Sequence, residues 1–286
     1  MAAQNTRNPH PNFKEVEQTR PDWDSNSSFR YFKTASPEWQ LGTGPNHTHT
    51  SAGSGPTTNH ISIDPYAPGR PAGLNYKFLI SSVVPRPIAF LSTISADGQR
   101  NLAPFSYFNM VNHDPPMFCI GFSRGLDDAK DSLRNLASTK ECVINIISEG
   151  FIEAANAACV NAPVGTSEWE ISGLTPVNDT VTVKVPRVKE AVVSIEGIVD
   201  SIREFDSKAK PGTKSGALVV IEGTRFWARE DAINEEHSIV DPEVLRPMSR
   251  LGGITYGRTT EAIEIPRLDF EKDIGGAEGY AKLAKR

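Results

Sequence analysis

Between residues 88 and 227 the chain is a succession of short, β-rich apolar runs that helical periodicity interrupts only twice. The runs are 88–95 (IAFLSTIS), 101–110 (NLAPFSYFNM), 117–122 (MFCIGF), 142–147 (CVINII), 181–185 (VTVKV), 191–199 (AVVSIEGIV) and 217–227 (ALVVIEGTRFW). Their branched and aromatic content is that of strands. Several are apolar on both faces, as strands are when both sides of their sheet are covered. In 181–185, Val181, Val183 and Val185 alternate with Thr182 and Lys184, which predicts a half-exposed strand. Asp97-Gly98 predicts a tight hairpin turn, because glycine accepts the positive φ the turn requires. One helix is predicted over 128–138, with Ala129, Leu133 and Leu136 as its buried stripe, Lys130 and Arg134 one turn apart on another face, and Asp127 or Asp128 as N-cap. A second is predicted over 148–159. Many strands with few helices predict a mainly β, α+β barrel with a few peripheral helices, without the strict strand–helix alternation of a dinucleotide-binding sheet.

The flanks differ. Residues 1–72 hold nine of the 21 prolines and four of the six histidines, and 42–60 (GTGPNHTHTSAGSGPTTNH) lacks the apolar content to offset chain entropy. The chain therefore divides into a low-complexity, disordered extension (1–60), a folded domain (61–257) and a polar tail (258–286) forming a short surface helix or a loose end. Tyr31, Phe32 and Trp39 stand out in the extension as an arm able to dock on the body or on a second subunit. A formal charge of −5 offers no basic face for nucleic acid. No run approaches the ~20 apolar residues of a membrane span, and the start of the chain has no apolar signal region. A cytoplasmic protein without nucleic-acid or membrane partners is expected.

Several motifs lead nowhere. No GxGxxG follows a strand, 211–216 (PGTKSG) lacks phosphate-loop spacing, and CxxC and HExxH are absent. His47 and His49 have no third or fourth metal ligand nearby. Cys119, Cys142 and Cys159 lie in apolar runs and read as buried core thiols.

The informative block is 84–146. It contains Pro85-Arg86-Pro87-Ile88, Ser92-Thr93-Ile94-Ser95 before Asp-Gly, Asn101-Leu-Ala-Pro-Phe-Ser-Tyr107, Asp114-Pro-Pro116, Lys130-Asp-Ser132 with Arg134-Asn135, and Val143-Ile-Asn145. Glu168-Trp169, Gly173-Leu-Thr-Pro176 and Arg250-Leu-Gly-Gly253 with Tyr256 follow in order. This set, spanning roughly 74–257, resembles the flavin reductase-like family, whose domain is an FMN-binding split β-barrel of Greek-key type. The resemblance implies FMN as cofactor, NADH or NADPH as donor, hydride transfer to flavin N5, a homodimer with flavin near the interface, and a monooxygenase or other acceptor for the reduced flavin.

Individual residues suit that ligand. The turn-like stretch Asn101, Leu102, Ala103, Pro104, Phe105, Ser106 is expected to offer backbone groups to the flavin ring edge, since Pro104 removes a donor and interrupts regular pairing. Ser106, Thr93 and Ser95 are candidate polar contacts. The start of the first helix, with Lys130, Ser132 and Arg134, is the candidate phosphate site, and Arg124 is an alternative from the preceding loop. Asp127, Asp128 and Asp131 oppose an anion there unless they cap the helix or pair outward. Arg86, stiffened by two prolines, is a phosphate or interface contact, or a surface residue. His113 is a candidate to position a nicotinamide, or an exposed loop residue. Arg250 binds an anionic group or closes the barrel. Three other readings stay open: an FMN-binding electron-transfer or sensing module without nicotinamide turnover, a pyridoxamine-phosphate-oxidase-like enzyme, and a binding protein with an empty pocket.

Overall fold

The computed structural model describes residues 13–46, 59–163 and 166–284. His47, His49 and most of the low-complexity stretch lie outside them. Among the described residues no helix is long and apolar enough to cross a membrane.

Seven strands form one antiparallel sheet: β1 (Ala89–Ile94), β2 (Arg100–Phe105), β3 (Phe108–His113), β4 (Pro116–Phe122), β5 (Glu141–Ile146), β6 (Val193–Asp206) and β7 (Lys214–Ala228). Their order is β2-β1-β5-β6-β7-β4-β3. The Asp97-Gly98 turn joins β1 to β2 as predicted, with Gly98 at φ 88°. The predicted single strand over 101–110 is two. It breaks at Ser106 and Tyr107, and those two residues carry the chain from one edge of the sheet to the other. The sheet curls to allow this. Leu91 of β1 and Ile120 of β4, second from opposite edges, share one core with Ile144, Ile195, Val219 and Ile221. Register shifts at 214/216, 220/221 and 223/225 in the long β6–β7 pair supply local bends of the kind bulges give.

Four helices cover the sheet: α1 (Ala72–Ser82), α2 (Asp131–Thr139), α3 (Ile152–Ala157) and α4 (Glu168–Ser172). The helix predicted at 128–138 is α2, begun later, because a 3-10 turn occupies Leu126–Asp128 and Lys130 takes the N-cap position. Leu133 and Leu136 bury in the core as its stripe requires. The helix predicted at 148–159 is a 3-10 turn, Glu149–Phe151, followed by α3. On the outer side of β1 and β2, Ile88, Phe90 and Leu102 pack against Phe151, Ala155, Trp169 and Met248.

Two expectations fail for physical reasons. The stretch 181–185 is not a strand. Its amides go to carboxylates instead: Val181 and Thr182 donate to Glu196 at 2.6–3.1 Å, and Lys184 donates to Glu141 at 2.7 Å. Val183 and Val185 still bury against Val143. The cysteines also differ. Cys142 is buried, and burial pushes its thiol up to about 12; Cys119 is half-buried and Cys159 is exposed, near the end of a short helix rather than in the core.

The terminal segments lie on each other. Arg30–Phe32 pairs in parallel with Glu261–Ile263, and a last helix, α5 (Gly276–Leu283), follows.

Candidate functional site

A cleft of about 250 Å³ opens where the chain crosses between the sheet edges. Tyr76 and Ile80 of α1, Phe105, Ser106 and Tyr107 of the crossing, and Phe122 of β4 line one part of it; Arg124, Lys130 and Arg250 supply cations. The crossing is held tightly. Gly121 N–H donates to the Tyr107 carbonyl at 2.7 Å, and a Cβ on Gly121 would sit 3.0 Å from that of Tyr107. Glycine eases the close approach there. Burial, with the Tyr76 phenol nearby, raises the Tyr107 phenol above its usual value against the opposing pull of Arg86, so Tyr107 is a protonated donor at neutral pH.

Arg86 sits beneath the cleft, 8% exposed. Its guanidinium donates to the carbonyls of Ile80 and Val83, both at 2.7 Å, and of Leu251 at 2.9 Å. The first two satisfy carbonyls at the end of α1 that a helix leaves without partners, and the third ties α1 to the chain at Leu251. Its Nε is buried without a partner.

Two acidic residues near α2 pair with arginines, one of them the cleft-lining Arg124. Asp128 accepts from Arg124, and Asp131 accepts from Arg134 at 2.7 Å. These pairs offset part of the repulsion expected of Asp128 and Asp131 toward an anion.

The flavin reductase like domain matches residues 81–245 of this sequence. The chain belongs to the flavin reductase-like family. Members similar to it include a protein of uncharacterised function from Aquifex aeolicus, 40% identical over 183 residues, a match spanning 63% of this chain and 88% of that protein. Among solved structures, nitrilotriacetate monooxygenase component B from Bacillus cereus is 31% identical, covering 73% of this chain and 100% of that one with a TM-score of 0.67. The 2-nitrobenzoate 2-nitroreductase of Pseudomonas fluorescens is also 31% identical, covering 74% and 98% with a TM-score of 0.62.

In this family member the predicted site residues separate into two groups. Arg86, Pro104, Phe105, Ser106, Arg124 and Lys130 line the cleft. The others do not. Thr93, Asn101 and Ser132 turn toward one another: Asn101 Nδ2 donates to Ser132 Oγ at 2.8 Å and to Thr93 Oγ1 at 3.4 Å, and Asn135 Nδ2 donates to Thr93 Oγ1 at 3.0 Å. Each is buried, so this cluster ties α2 to β1 and β2 and lies outside the cleft lining. Ser95 belongs to the hairpin turn, bonded to Asp97 and accepting from Gln99 N–H at 2.9 Å. Ala103 sits in the β1–β2 ladder opposite Leu91, away from the cleft. Pro104 does not interrupt pairing as expected; it stays in register opposite Phe90, which an edge strand permits because its missing N–H can face outward. Arg134 is exposed and held by Asp131 and the Ala129 carbonyl. His113 is exposed at the far end of β3 opposite Pro116, outside the cleft. Arg250 lines the cleft while its ring-stacked guanidinium lies 4.3 Å from the centre of Tyr256.

Tyr76, Ile80, Tyr107 and Phe122 are among the lining residues sequence reasoning missed as ligand contacts. Tyr107 stood inside a quoted motif. Tyr76 and Ile80 belong to α1, which has no polar face to mark it as a helix.

Proposed function

We propose that this chain binds FMN in the cleft and transfers hydride from NADH or NADPH to flavin N5. The curled sheet is read as a Greek-key split barrel whose edges meet at Ser106 and Tyr107. The observation that carries the proposal is the cleft itself: three cations on its rim beside an aromatic and aliphatic wall, a combination that suits a flat ring bearing a phosphate tail.

The residues fit the group. Lys130 and Arg124 would hold the phosphate at the approach to α2, where backbone amides also favour an anion. Phe105, Phe122 and Ile80 would wall the ring and exclude water from it. Tyr107, which lines the cleft and is protonated at neutral pH, would serve as a donor, and the orphaned Nε of Arg86 is a further one. When bound, FMN supplies the hydride-accepting centre, and the protein supplies binding, orientation and electrostatics. A cleft of about 250 Å³ falls below the ~300–1,000 Å³ of enclosed ligand pockets. A homodimer would complete it, and the exposed Leu74, Phe78, Leu79, Met110 and Val111 on α1 and β3 offer an apolar face for the second copy. The reduced flavin would pass to a monooxygenase or another acceptor.

The test is a visible spectrum of the purified chain with FMN, recorded anaerobically before and after NADH and then NADPH. Prompt bleaching of bound flavin by either donor is expected, and the faster one identifies the donor. Bands that persist with both donors but bleach with dithionite would replace the reductase reading with that of an electron carrier. Failure to bind FMN would remove both.

A further inference from the structure

We propose that the N-terminal arm is a strap holding one wall of the cleft, with Trp23, Glu149 and Arg258 as positioning residues. The wall is a hairpin of two short strands, Met248–Arg250 and Tyr256–Arg258, with Met248 opposite Arg258 and Arg250 opposite Tyr256. Arg250 and Gly253, at its turn end, line the cleft. A two-stranded ribbon of this length is marginal in water and needs support from outside.

The near strand gets that support from the body. Arg86 and Arg250 exchange backbone bonds at 3.0 and 2.9 Å, and Met248 N–H donates to the Ile147 carbonyl at 2.9 Å. The far strand gets it from the body and the arm together: Tyr256 packs against the core and its hydroxyl donates to Asn156 Oδ1 at 3.0 Å, and Arg258 ties body to arm. Arg258 donates from Nε and Nη2 to the two carboxylate oxygens of Glu149 at 2.7 and 3.2 Å, a bidentate pair. The same guanidinium lies 4.0 Å from the centre of the Trp23 ring and donates to the Asp24 carbonyl at 3.4 Å. Arg246, 3.7 Å from Glu149, reaches the Ser27 carbonyl at 3.5 Å. Just beyond Arg258, the arm pairs again: Arg30 N–H donates to the Thr260 carbonyl at 3.0 Å, and Arg30–Phe32 runs parallel to Glu261–Ile263.

The arm thus grips the last residue of the hairpin and the strand that follows it. Glu149, only 9% exposed at its side chain, is the common anchor for both arginines. Losing the arm would loosen the Arg258 end of the far strand, and with it the hairpin that places Arg250 and Gly253 at the cleft.

The experiment uses the full chain carrying Trp23→Ala, with Trp23→Phe as the conservative control. Trp23 is largely exposed, so its truncation leaves the cores intact. The first readout is backbone hydrogen exchange without ligand. Trp23→Ala should speed exchange across 248–258 by about tenfold while the core strands β5 and β6 are unchanged, and Trp23→Phe should restore protection because the ring face is kept. Unchanged exchange across 248–258 overturns the strap. The second readout is the FMN dissociation constant, expected to rise about three- to tenfold in Trp23→Ala and to recover in Trp23→Phe. Faster exchange with an unchanged constant overturns the link to the cleft. This second readout rests on the flavin reading. A wild-type chain that binds no FMN sinks that reading, while the exchange data still decide the strap.

Discussion

The Thr93–Asn101–Ser132–Asn135 cluster and the rim of the cleft are both polar, and α2 feeds both, yet they are built in opposite ways. In the cluster the side chains are buried and bond to each other. On the rim, Arg124 and Lys130 carry exposed, charged heads. Position on α2 makes the difference. Ser132 and Asn135 share the inward face with Leu133 and Leu136, whereas Lys130 stands at its start and Arg134 points outward. Polar residues of one segment thus divide into a buried, mutually bonded set and an exposed set according to helix phase.

The closed kind reaches its extreme at Glu196, a fully buried carboxylate. It accepts from the amides of Val181 and Thr182, the Thr182 hydroxyl and the Trp227 indole at 2.7 Å. Glu196→Ala should give the largest loss of all, about 3 kcal/mol in urea unfolding, because four donors, the two amides, the hydroxyl and the indole, lose a buried charged acceptor. Burial alone would push this carboxyl up, but the bonds from Thr182, Trp227 and Val181 outweigh it and hold it below the usual carboxylate range. A carboxyl held lower in the fold than in the unfolded chain stabilises above its unfolded value, about 4.3, and that contribution disappears as pH falls through the folded value. Wild-type stability should fall below about pH 4. Glu196→Gln should lower the neutral plateau and flatten that acid slope; an unaltered slope would show that other carboxylates set it.

Thr93→Val tests the cluster itself. It strips the acceptor from Asn101 and Asn135 without changing shape, so unfolding should cost about 1–3 kcal/mol less than in wild type. FMN affinity should stay within about twofold, since none of the four residues lines the cleft. A large loss of flavin binding in a folded Thr93→Val protein would break the division between cluster and rim.

The rim should behave in reverse. Lys130→Ala or Arg124→Ala should each weaken FMN about tenfold, the scale of one charge-assisted hydrogen bond, and shift unfolding little because both heads are exposed. Riboflavin, which lacks the phosphate, should bind the variants and wild type alike. Equal losses for FMN and riboflavin would move these cations away from the phosphate.

How far the sequence carried follows from the same distinction between local and distant causes. α2 was legible because Leu133 and Leu136 recur at helical spacing, and the β1–β2 hairpin because Asp97-Gly98 is a local turn signal. α1 was not, because Leu74, Tyr76, Phe78 and Leu79 surround it with apolar groups and leave no stripe; with it went Tyr76 and Ile80 of the cleft. The break at Ser106 and Tyr107 carries no Gly, and its cause is pairing of β3 with β4 across the fold. The irregular course of 181–185 is set by Glu196 and Glu141, residues far along the chain, which no window on 181–185 contains. Arg86 was ambiguous between ligand and scaffold for the same reason: its partners Ile80, Val83 and Leu251 come together only in the fold.

Arg134 gives the smallest effect and the sharpest check on helix phase. It lies four residues after Lys130, and a helix begun at 128 would give both residues a similar claim on a phosphate. In the structure α2 starts at Asp131, so Lys130 is its N-cap and Arg134 is in its body, paired with Asp131 at 2.7 Å and bonded to the Ala129 carbonyl at 2.8 Å. Both members of the pair are substantially exposed, and such pairs contribute little in water. Arg134→Ala should therefore change unfolding by under about 0.5 kcal/mol and FMN affinity by under about twofold, tightening with neither salt nor pH. A loss comparable to that of Lys130→Ala would place Arg134 at the anion after all and would extend the rim one full turn along α2.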